Sequence, residues 1–133
     1  MFKRTKRQEI GQKGEDIASD FLKKKGFEIV ERNYWQKWGE IDIVAKKGGA
    51  WRFVEVKTVT RSSARSVRRR PDDYEPEDNI HPWKRRRLAR VIETYILSRG
   101  VGDDDDWQVD TIAVYLDLEG NFLEVDHLED IEL

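Results

Sequence analysis

The amino-acid sequence predicts an α/β domain, because segments with helical and strand-like patterns alternate along its 133 residues. Two segments, about residues 8–25 and 81–99, have apolar side chains at the 3.6-residue spacing of helices. Residues 39–57 resemble a β-hairpin, and residues 107–117 form the nearly continuous apolar segment typical of a strand buried on both faces. We therefore expect one α/β domain, residues 1–133.

The composition excludes several classes of protein. Charged residues make up 39% of the chain and hydrophobic residues 38%, which is enough for a packed core. No apolar run approaches the roughly 20 residues of a membrane span, and the basic residues 1–7 lack the apolar segment of a signal peptide. The sequence has no cysteine, which excludes disulfides and thiolate metal sites. These features favour a cytoplasmic protein without a membrane partner.

The first helix brings one acidic side chain to the edge of its apolar stripe. That stripe consists of Ile10, Gly14, Ile17, Ala18, Phe21 and Leu22. Gly26 is a typical residue just after a helix C-terminus. On position alone, Glu15 is a solvated glutamate favoured by the helix dipole, but it can reach the hairpin if the helix packs over it. Gly11 and Gly14 lower helix propensity, and close packing against another element is one explanation for them.

A weakly alternating segment, residues 27–33, is expected to form the first strand. The connection that follows, residues 34–38, contains Trp35 and Trp38. These indoles can either stack on nucleic-acid bases or cover the core, and we favour the core because aromatic side chains bury large areas.

The hairpin is predicted to gather four charged side chains. If Gly48-Gly49 is a two-residue turn, the residue numbers of each cross-strand pair add up to 97. Asp42 then lies opposite Glu55, and Glu40 lies opposite Lys57. Residues two apart on a strand share a face, so the four would form one polar cluster. Like charges directly opposite destabilise a sheet, and a cation between them would offset that cost. The alternative is a surface ladder of ion pairs.

Basic residues follow the hairpin. A charged loop at about residues 59–80, with two prolines and no periodicity, is expected to be mobile. It contains five arginines that suit phosphate binding: Arg61, Arg65, Arg68, Arg69 and Arg70. The first half of the second helix adds Lys84, Arg85, Arg86, Arg87 and Arg90. Cations at a helix N-terminus are locally unfavourable, which indicates that an anion binds there; we select Lys84, Arg85 and Arg87 as contacts to nucleic acid.

The C-terminal part is acidic. Residues 57–90 hold eleven Lys or Arg, whereas residues 101–133 hold twelve acids and no Lys or Arg. The basic region can bind a phosphate backbone, or the two regions can simply neutralise each other. A short last strand is expected at residues 122–125, followed by a peripheral tail, residues 127–133. The two histidines, His81 and His127, are expected to be structural or on the surface.

The hairpin cluster suits phosphodiester chemistry. Asp42 and Glu55, with the carbonyl oxygen of Val56, offer the hard oxygen ligands that Mg²⁺ or Mn²⁺ prefers. Lys57 can orient a water molecule or stabilise the charge of the transition state, and Glu15 would add a further acid.

Several motifs together resemble the UPF0102 (YraN-like) family. They are Gly11-x-x-Gly14-Glu15-x-x-Ala18-x-x-Phe21-Leu22-x-x-x-Gly26, Arg32-Asn33, Gly39-Glu40-Ile41-Asp42-Ile43-Val44-Ala45 and Phe53-Val54-Glu55-Val56-Lys57-Thr58. That family is similar to Holliday-junction resolvases and other PD-(D/E)xK, restriction-endonuclease-like nucleases. The resemblance implies a mixed sheet flanked by helices in the order αβββαβ. It also implies that Asp42 and Glu55 are metal ligands, Lys57 the catalytic lysine and Glu15 the helix acid.

Two functions remain open from the sequence. The first is a metal-dependent endonuclease that hydrolyses DNA, at branched or damaged structures, and that is compatible with a homodimer. The second is a nucleic-acid-binding or adaptor protein that has the same fold without turnover. The intact Asp42, Glu55 and Lys57 favour the first.

Overall fold

The structure, a computed structural model, describes residues 4–62 and 82–133. In chain order the elements are α1 (Lys6–Lys24), β1 (Glu28–Gln36), β2 (Gly39–Lys47), β3 (Ala50–Thr60), α2 (Pro82–Arg99), β4 (Trp107–Leu116) and β5 (Phe122–Leu128). This order confirms the predicted α/β class and the αβββαβ arrangement, with β5 added at the end.

The five strands form one mixed sheet in the order β1-β2-β3-β4-β5. Neighbouring strands are antiparallel except for β3 and β4, which are parallel and joined by the crossover that contains α2. This topology is compatible with a restriction-endonuclease-like core.

Each helix covers a different core. The α2 side chains Leu88, Val91, Ile92 and Tyr95 pack with residues of β1, β2 and β3 in one cluster. Ala18 and Leu22 of α1 pack with the second cluster, which includes Ile112, Val114 and Leu116 of β4. As predicted, β4 is almost entirely buried, because it lies inside the sheet and has apolar side chains on both faces.

The ends of α1 follow from local sequence. Thr5 and Gln8 form a capping box, so the helix begins two residues before the predicted start. Gly26 has φ +91°, the left-handed conformation expected just after the C-terminus. Gly14 contacts β3 so closely that a Cβ atom there would collide with Oγ1 of Thr58, which confirms the packing explanation for this glycine. Gly11 has no such neighbour within 4 Å.

The predicted register of the hairpin is confirmed near its turn. The pairs run from Lys47 with Ala50 to Ile43 with Val54, each summing to 97, and Gly48-Gly49 has positive φ at both positions. Beyond Ile43 the ladder ends, so the predicted pairs of Asp42 with Glu55 and of Glu40 with Lys57 are not part of it. The two strands separate at this point.

The alternation of side chains breaks at the same place. Ile41 packs in the core under α2, whereas Ile43, two residues later, packs in the core under α1. Asn33, on β1 between the partners of these two residues, has φ +54°. The alternation thus breaks beside a left-handed residue, and Glu40 cannot be placed on the face of Lys57 by simple alternation.

The first strand is longer than predicted. It runs from Glu28 to Gln36, because Tyr34 is buried in the core and continues the pairing with Ile41. Trp38 packs against that core as expected, but Trp35 is 65% exposed, so the expectation for this indole was wrong.

The C-terminal segment is not a peripheral tail. His127 belongs to β5, and its side chain is 4% exposed. The backbone N–H of Asp130 donates to the carboxylate of Asp110, and the N–H of Ile131 donates to Val109. Buried hydrogen bonds therefore hold this acidic segment on β4. The other histidine, His81, lies outside the described residues.

Candidate functional site

An open cavity of about 570 Å³ lies where β2 and β3 separate. Four carboxylates line it, and five cations surround them. The acids are Glu15, Glu40, Asp42 and Glu55, and the cations are Arg7, Lys37, Lys57, Lys84 and Arg87. All four acids considered from the sequence therefore reach one cavity, although Glu15 comes from a different element than the other three.

Asp42 occupies the gap in the sheet. Its Oδ2 accepts a hydrogen bond of 2.7 Å from the backbone N–H of Val56 on β3. Burial raises the pKa of Asp42 to about 8; the Val56 N–H opposes this, and the nearby charges of Glu15, Glu40 and Glu55 add to it. The ionised form is thus costly here without a positive partner.

Glu15 is directed toward the cavity and not toward solvent. Burial and the charge of Glu40 raise its pKa, while Arg32 lowers it. Oε1 of Glu15 lies 3.7 Å from Nη2 of Arg32, within ion-pair range, but has no hydrogen-bond partner. The solvated position expected from the helix alone is therefore wrong, because α1 packs across β3.

The hairpin lysine and the helix lysine are close to each other and to Glu55. Nζ of Lys84 lies 3.7 Å from Oε1 of Glu55. Burial and the charge of Lys84 lower the pKa of Lys57, against the opposite effect of Glu55. The N-terminus of α2 thus brings a cation against a candidate metal ligand.

The donor set fits a small divalent cation. A strand residue directs its N–H and C=O to the same neighbouring strand, so the carbonyl of Val56 faces the gap that Asp42 occupies. Asp42, Glu55 and this carbonyl supply hard oxygen ligands, and the unpaired Oε1 of Glu15 can accept from a bound water. Within the described chain these acids do not form a set of three ligand atoms within 4.8 Å, so water would complete the coordination.

The residues chosen for nucleic-acid binding divide into three groups. Lys84 and Arg87 line the cavity. Arg85 is exposed on α2 outside it, and Arg61 pairs with Glu124 over the ring of Tyr115, on the far side of β4. Arg65, Arg68, Arg69 and Arg70 lie outside the described residues, as does most of the predicted loop; β3 itself continues to Thr60.

Several lining residues were missed by sequence reasoning. Arg7 stands eight residues before Glu15, so the helical period places both on one face of α1 and offered a signal. Lys37 follows β1, whose end was predicted too early, and Trp35 was considered for base stacking but was assigned to the core. Asn33 belongs to the Arg32-Asn33 motif, but sequence reasoning assigned no role to it; it lies in a second cavity beside the first and has a left-handed backbone.

A second polar cluster lies elsewhere on the sheet. Asp110, His127 and Glu129 bring three ligand atoms within 4.8 Å of one another. The position of a cation is already taken, because Nη1 of Arg52 lies 2.8 Å from Oδ2 of Asp110 and 3.1 Å from Oε1 of Glu129. Although burial raises the pKa of Asp110, hydrogen bonds from His127, Asp130, Gln108 and Arg52 lower it to about 2. This cluster is a buried ion network and not a metal site.

Neither described helix, α1 or α2, is long and apolar enough to cross a membrane.

Comparisons with known proteins agree with the resemblance of the motifs. The model of an uncharacterised protein family, UPF0102, matches residues 14–114. A UPF0102 protein of Campylobacter jejuni is 39% identical over 105 residues, which are 79% of this chain and 82% of the relative. One from Caldicellulosiruptor saccharolyticus is 37% identical over 119 residues, 90% of this chain and 92% of the relative. One from Dictyoglomus thermophilum is 42% identical over 91 residues, 68% of this chain and 70% of the relative. The chain belongs to the UPF0102 family.

Proposed function

We propose that this protein is a metal-dependent endonuclease that hydrolyses DNA phosphodiester bonds in the cavity between β2 and β3. The observation that supports it most is the position of Asp42. Its carboxylate occupies the gap between two separated strands, beside Val56, in a cavity that Glu55 and Lys57 also line. Because burial raises the pKa of this carboxyl to about 8, its ionised form is costly, and a bound cation would stabilise that form.

Each side chain has a role that its position allows. Asp42, Glu55 and the Val56 carbonyl would hold Mg²⁺ or Mn²⁺, which lowers the pKa of a bound water and polarises a phosphoryl oxygen. Lys57, on the strand of Glu55, would hold that water or stabilise the negative charge of the transition state. Glu15 would accept a hydrogen bond from the attacking water through its unpaired oxygen.

The cations around the acids suit a polyanionic substrate. Lys84 pairs with Glu55 at 3.7 Å, so a metal ion bound by Glu55 would displace this lysine and release it toward a phosphate. Arg87 already donates from Nε to the carbonyl of Trp38 at 2.8 Å, which leaves its terminal nitrogens available at the edge of the cavity. We propose Lys84 and Arg87 as contacts to phosphates that flank the cleaved bond.

A cleavage assay tests the proposal. Purified protein is incubated with duplex, single-stranded, flap and four-way-junction DNA in Mg²⁺ or Mn²⁺, and products are separated on denaturing gels. Asp42→Asn should reduce the rate by about 100-fold or more, since it removes a charged metal ligand. EDTA should stop cleavage by the wild type.

The matched control is Asp20→Asn, which removes an exposed carboxylate from α1 outside the cavity. It should cleave like the wild type. Equal cleavage by Asp42→Asn and the wild type would identify a contaminating nuclease and refute the proposal. Salt-sensitive DNA binding without cleavage would instead support the adaptor function.

Two properties accompany this proposal. A homodimer would present two such cavities to a branched DNA, and the mass of the protein–DNA complex in sedimentation measures this arrangement. We place the activity in the cytoplasm, in agreement with a sequence that has no cysteine.

A further inference from the structure

The most exposed tryptophan of the described chain lines the candidate active cavity. Trp35 is 65% exposed, lies next to the last residue of strand β1, and pairs with Glu40 of β2. Single exposed apolar side chains are common on proteins, but burial of an indole removes some 150–250 Å² from water. A tryptophan at the edge of a polar cavity is therefore a ready platform for an aromatic ligand.

Other tryptophans nearby already have partners. Trp38 packs against the core, and the guanidinium of Arg90 lies 4.3 Å from its ring centroid. Trp83, on α2, has Arg87 at 5.7 Å. Among the described residues, none of the ring–ring or cation–ring contacts involves Trp35. The backbone of Trp35 is fixed in a strand and its ring is exposed. Because a tryptophan side chain has only two rotatable bonds, stacking costs little conformational entropy.

The surroundings of this ring combine cations with the four carboxylates of the site, so they suit a ligand that brings a phosphate to the cations and a flat ring to the indole. Lys37, Lys84 and Arg87 line the same cavity, and basic side chains beside an exposed aromatic ring are the pattern of single-strand binding. A cavity of about 570 Å³ has room for roughly one nucleotide.

We propose that Trp35 stacks on an unpaired base next to the phosphate that is cleaved, so that the substrates are single-stranded DNA or DNA with unpaired nucleotides at flaps, junctions or damage. A base within a continuous duplex has both faces covered by its neighbours and cannot offer one to the indole. The inference rests on the proposed function and specifies its substrate class. Trp35 is a specificity residue and takes no part in the chemistry.

A binding assay separates this inference from the cleavage activity. Affinities for a single-stranded oligonucleotide and for a blunt duplex of equal charge are measured in the Asp42→Asn background, without divalent metal, so that turnover plays no role. Trp35→Leu should weaken binding of the single strand by about 5- to 150-fold and leave duplex binding unchanged. Trp35→Phe should recover part of the loss, because a smaller ring still stacks.

Two further measurements exclude a merely electrostatic or structural effect. The slope of log affinity against log salt should be unchanged in Trp35→Leu, since no charge is lost, but smaller in Lys84→Gln. A single abasic nucleotide next to the cleaved phosphate should cost the wild type as much as Trp35→Leu does, and the two changes together should cost no more than either alone.

The matched control is Trp107→Leu, which removes another exposed indole, 47% exposed, that neither lines the cavity nor contacts a proposed phosphate-binding residue. It should bind like its parent, and circular dichroism should show that all variants fold. Equal losses for single strand and duplex, or wild-type affinity of Trp35→Leu, would overturn the inference even if the protein cleaves DNA. A selective loss without any cleavage would uphold the stacking and refute the nuclease.

Discussion

At the scale of single residues, Asp42 determines how the metal-free site depends on pH. Its pKa of about 8 lies above the ordinary value of 3.8, so the folded protein binds a proton at neutral pH that the unfolded chain does not bind. Linkage then requires that the contribution of Asp42 to the free energy of unfolding be highest below about pH 4 and fall as the pH rises through about 8.

Asp42→Asn should remove most of this pH dependence. An asparagine still accepts the Val56 hydrogen bond but carries no charge, so the variant should be more stable than the wild type at pH 8 by on the order of 1–3 kcal/mol. Urea unfolding at pH 5 and pH 8 in EDTA measures the difference. Asp20→Asn, the exposed control, should keep the wild-type dependence; a parallel decline of Asp42→Asn and the wild type would contradict the assignment.

At the scale of elements, the two glycines of α1 have opposite roles. Gly11 faces open space, with no atom within 4 Å of the place that a Cβ would occupy, whereas Gly14 lies against Thr58. Gly11→Ala should stabilise the protein by about 0.5–1 kcal/mol, because alanine is the better helix former. Gly14→Ala should destabilise it by about 1–3 kcal/mol, because the new methyl group forces α1 away from β3.

Thermal and urea unfolding measure the stability of both variants. Each variant is the control for the other, because both replace a glycine of α1 with alanine. A gain in stability from Gly14→Ala would show that α1 is free to shift on the sheet. Gly14→Ala should also reduce cleavage, since the residue that follows it is Glu15.

The elements that the sequence could predict are those set by local chemistry. The Gly48-Gly49 turn fixes the register of the hairpin, and Gly26 fixes the end of α1. The break in alternation beside Asn33 was not predicted, because asparagine tolerates a left-handed conformation but its presence alone does not show that a residue within a strand adopts it. Sequence reasoning also treated Trp35 and Trp38 as alike, but Trp38 packs against the core, whereas Trp35 follows the buried Tyr34 on β1 and is exposed, since neighbouring residues of a strand lie on opposite faces.

At the scale of the whole molecule, some side chains of the basic region pair with the acidic C-terminal region, and others line the cavity. Arg61 pairs with Glu124, which agrees with the idea of internal neutralisation. Lys84 and Arg87 instead line the cavity, which agrees with phosphate binding. Net charge per region could not separate these two outcomes, because they depend on which face of each element its side chains occupy.

The network around Asp110 joins the C-terminal segment to the centre of the sheet. Oδ2 of Asp110 lies 2.8 Å from both Nη1 of Arg52 and Nε2 of His127. Nζ of Lys25 lies 3.1 Å from Nδ1 of His127, and since a lysine only donates, the histidine proton belongs on Nε2. Sequence reasoning missed this network because its contacting members are up to 102 residues apart.

Asp110→Asn should destabilise the protein by about 3–5 kcal/mol, because it leaves the buried end of Arg52 without its carboxylate. The pKa of Asp110, about 2, lies below the ordinary 3.8, so its contribution is present above about pH 4 and lost as the pH falls through 2. Because the variant starts from a lower stability, its acid unfolding, followed by circular dichroism, should begin at higher pH, and its difference from the wild type should shrink as the pH falls through 2.

Glu129→Gln is the matched control, since Glu129 also pairs with Arg52 but its side chain is 51% exposed. It should cost less than about 1 kcal/mol. Equal losses of stability in Asp110→Asn and Glu129→Gln would contradict the special contribution of the buried Asp110.

The contact of Gly14 with Thr58 has a consequence for anyone who would transplant this site. Gly14 precedes Glu15, and Thr58 follows Lys57, so the place where helix and strand touch also sets the spacing of two functional side chains from different elements. A graft of the hairpin alone would carry Asp42, Glu55 and Lys57 but lose the helix acid. A graft that keeps all four side chains must therefore include the hairpin and α1, together with Gly14 at the contact between them.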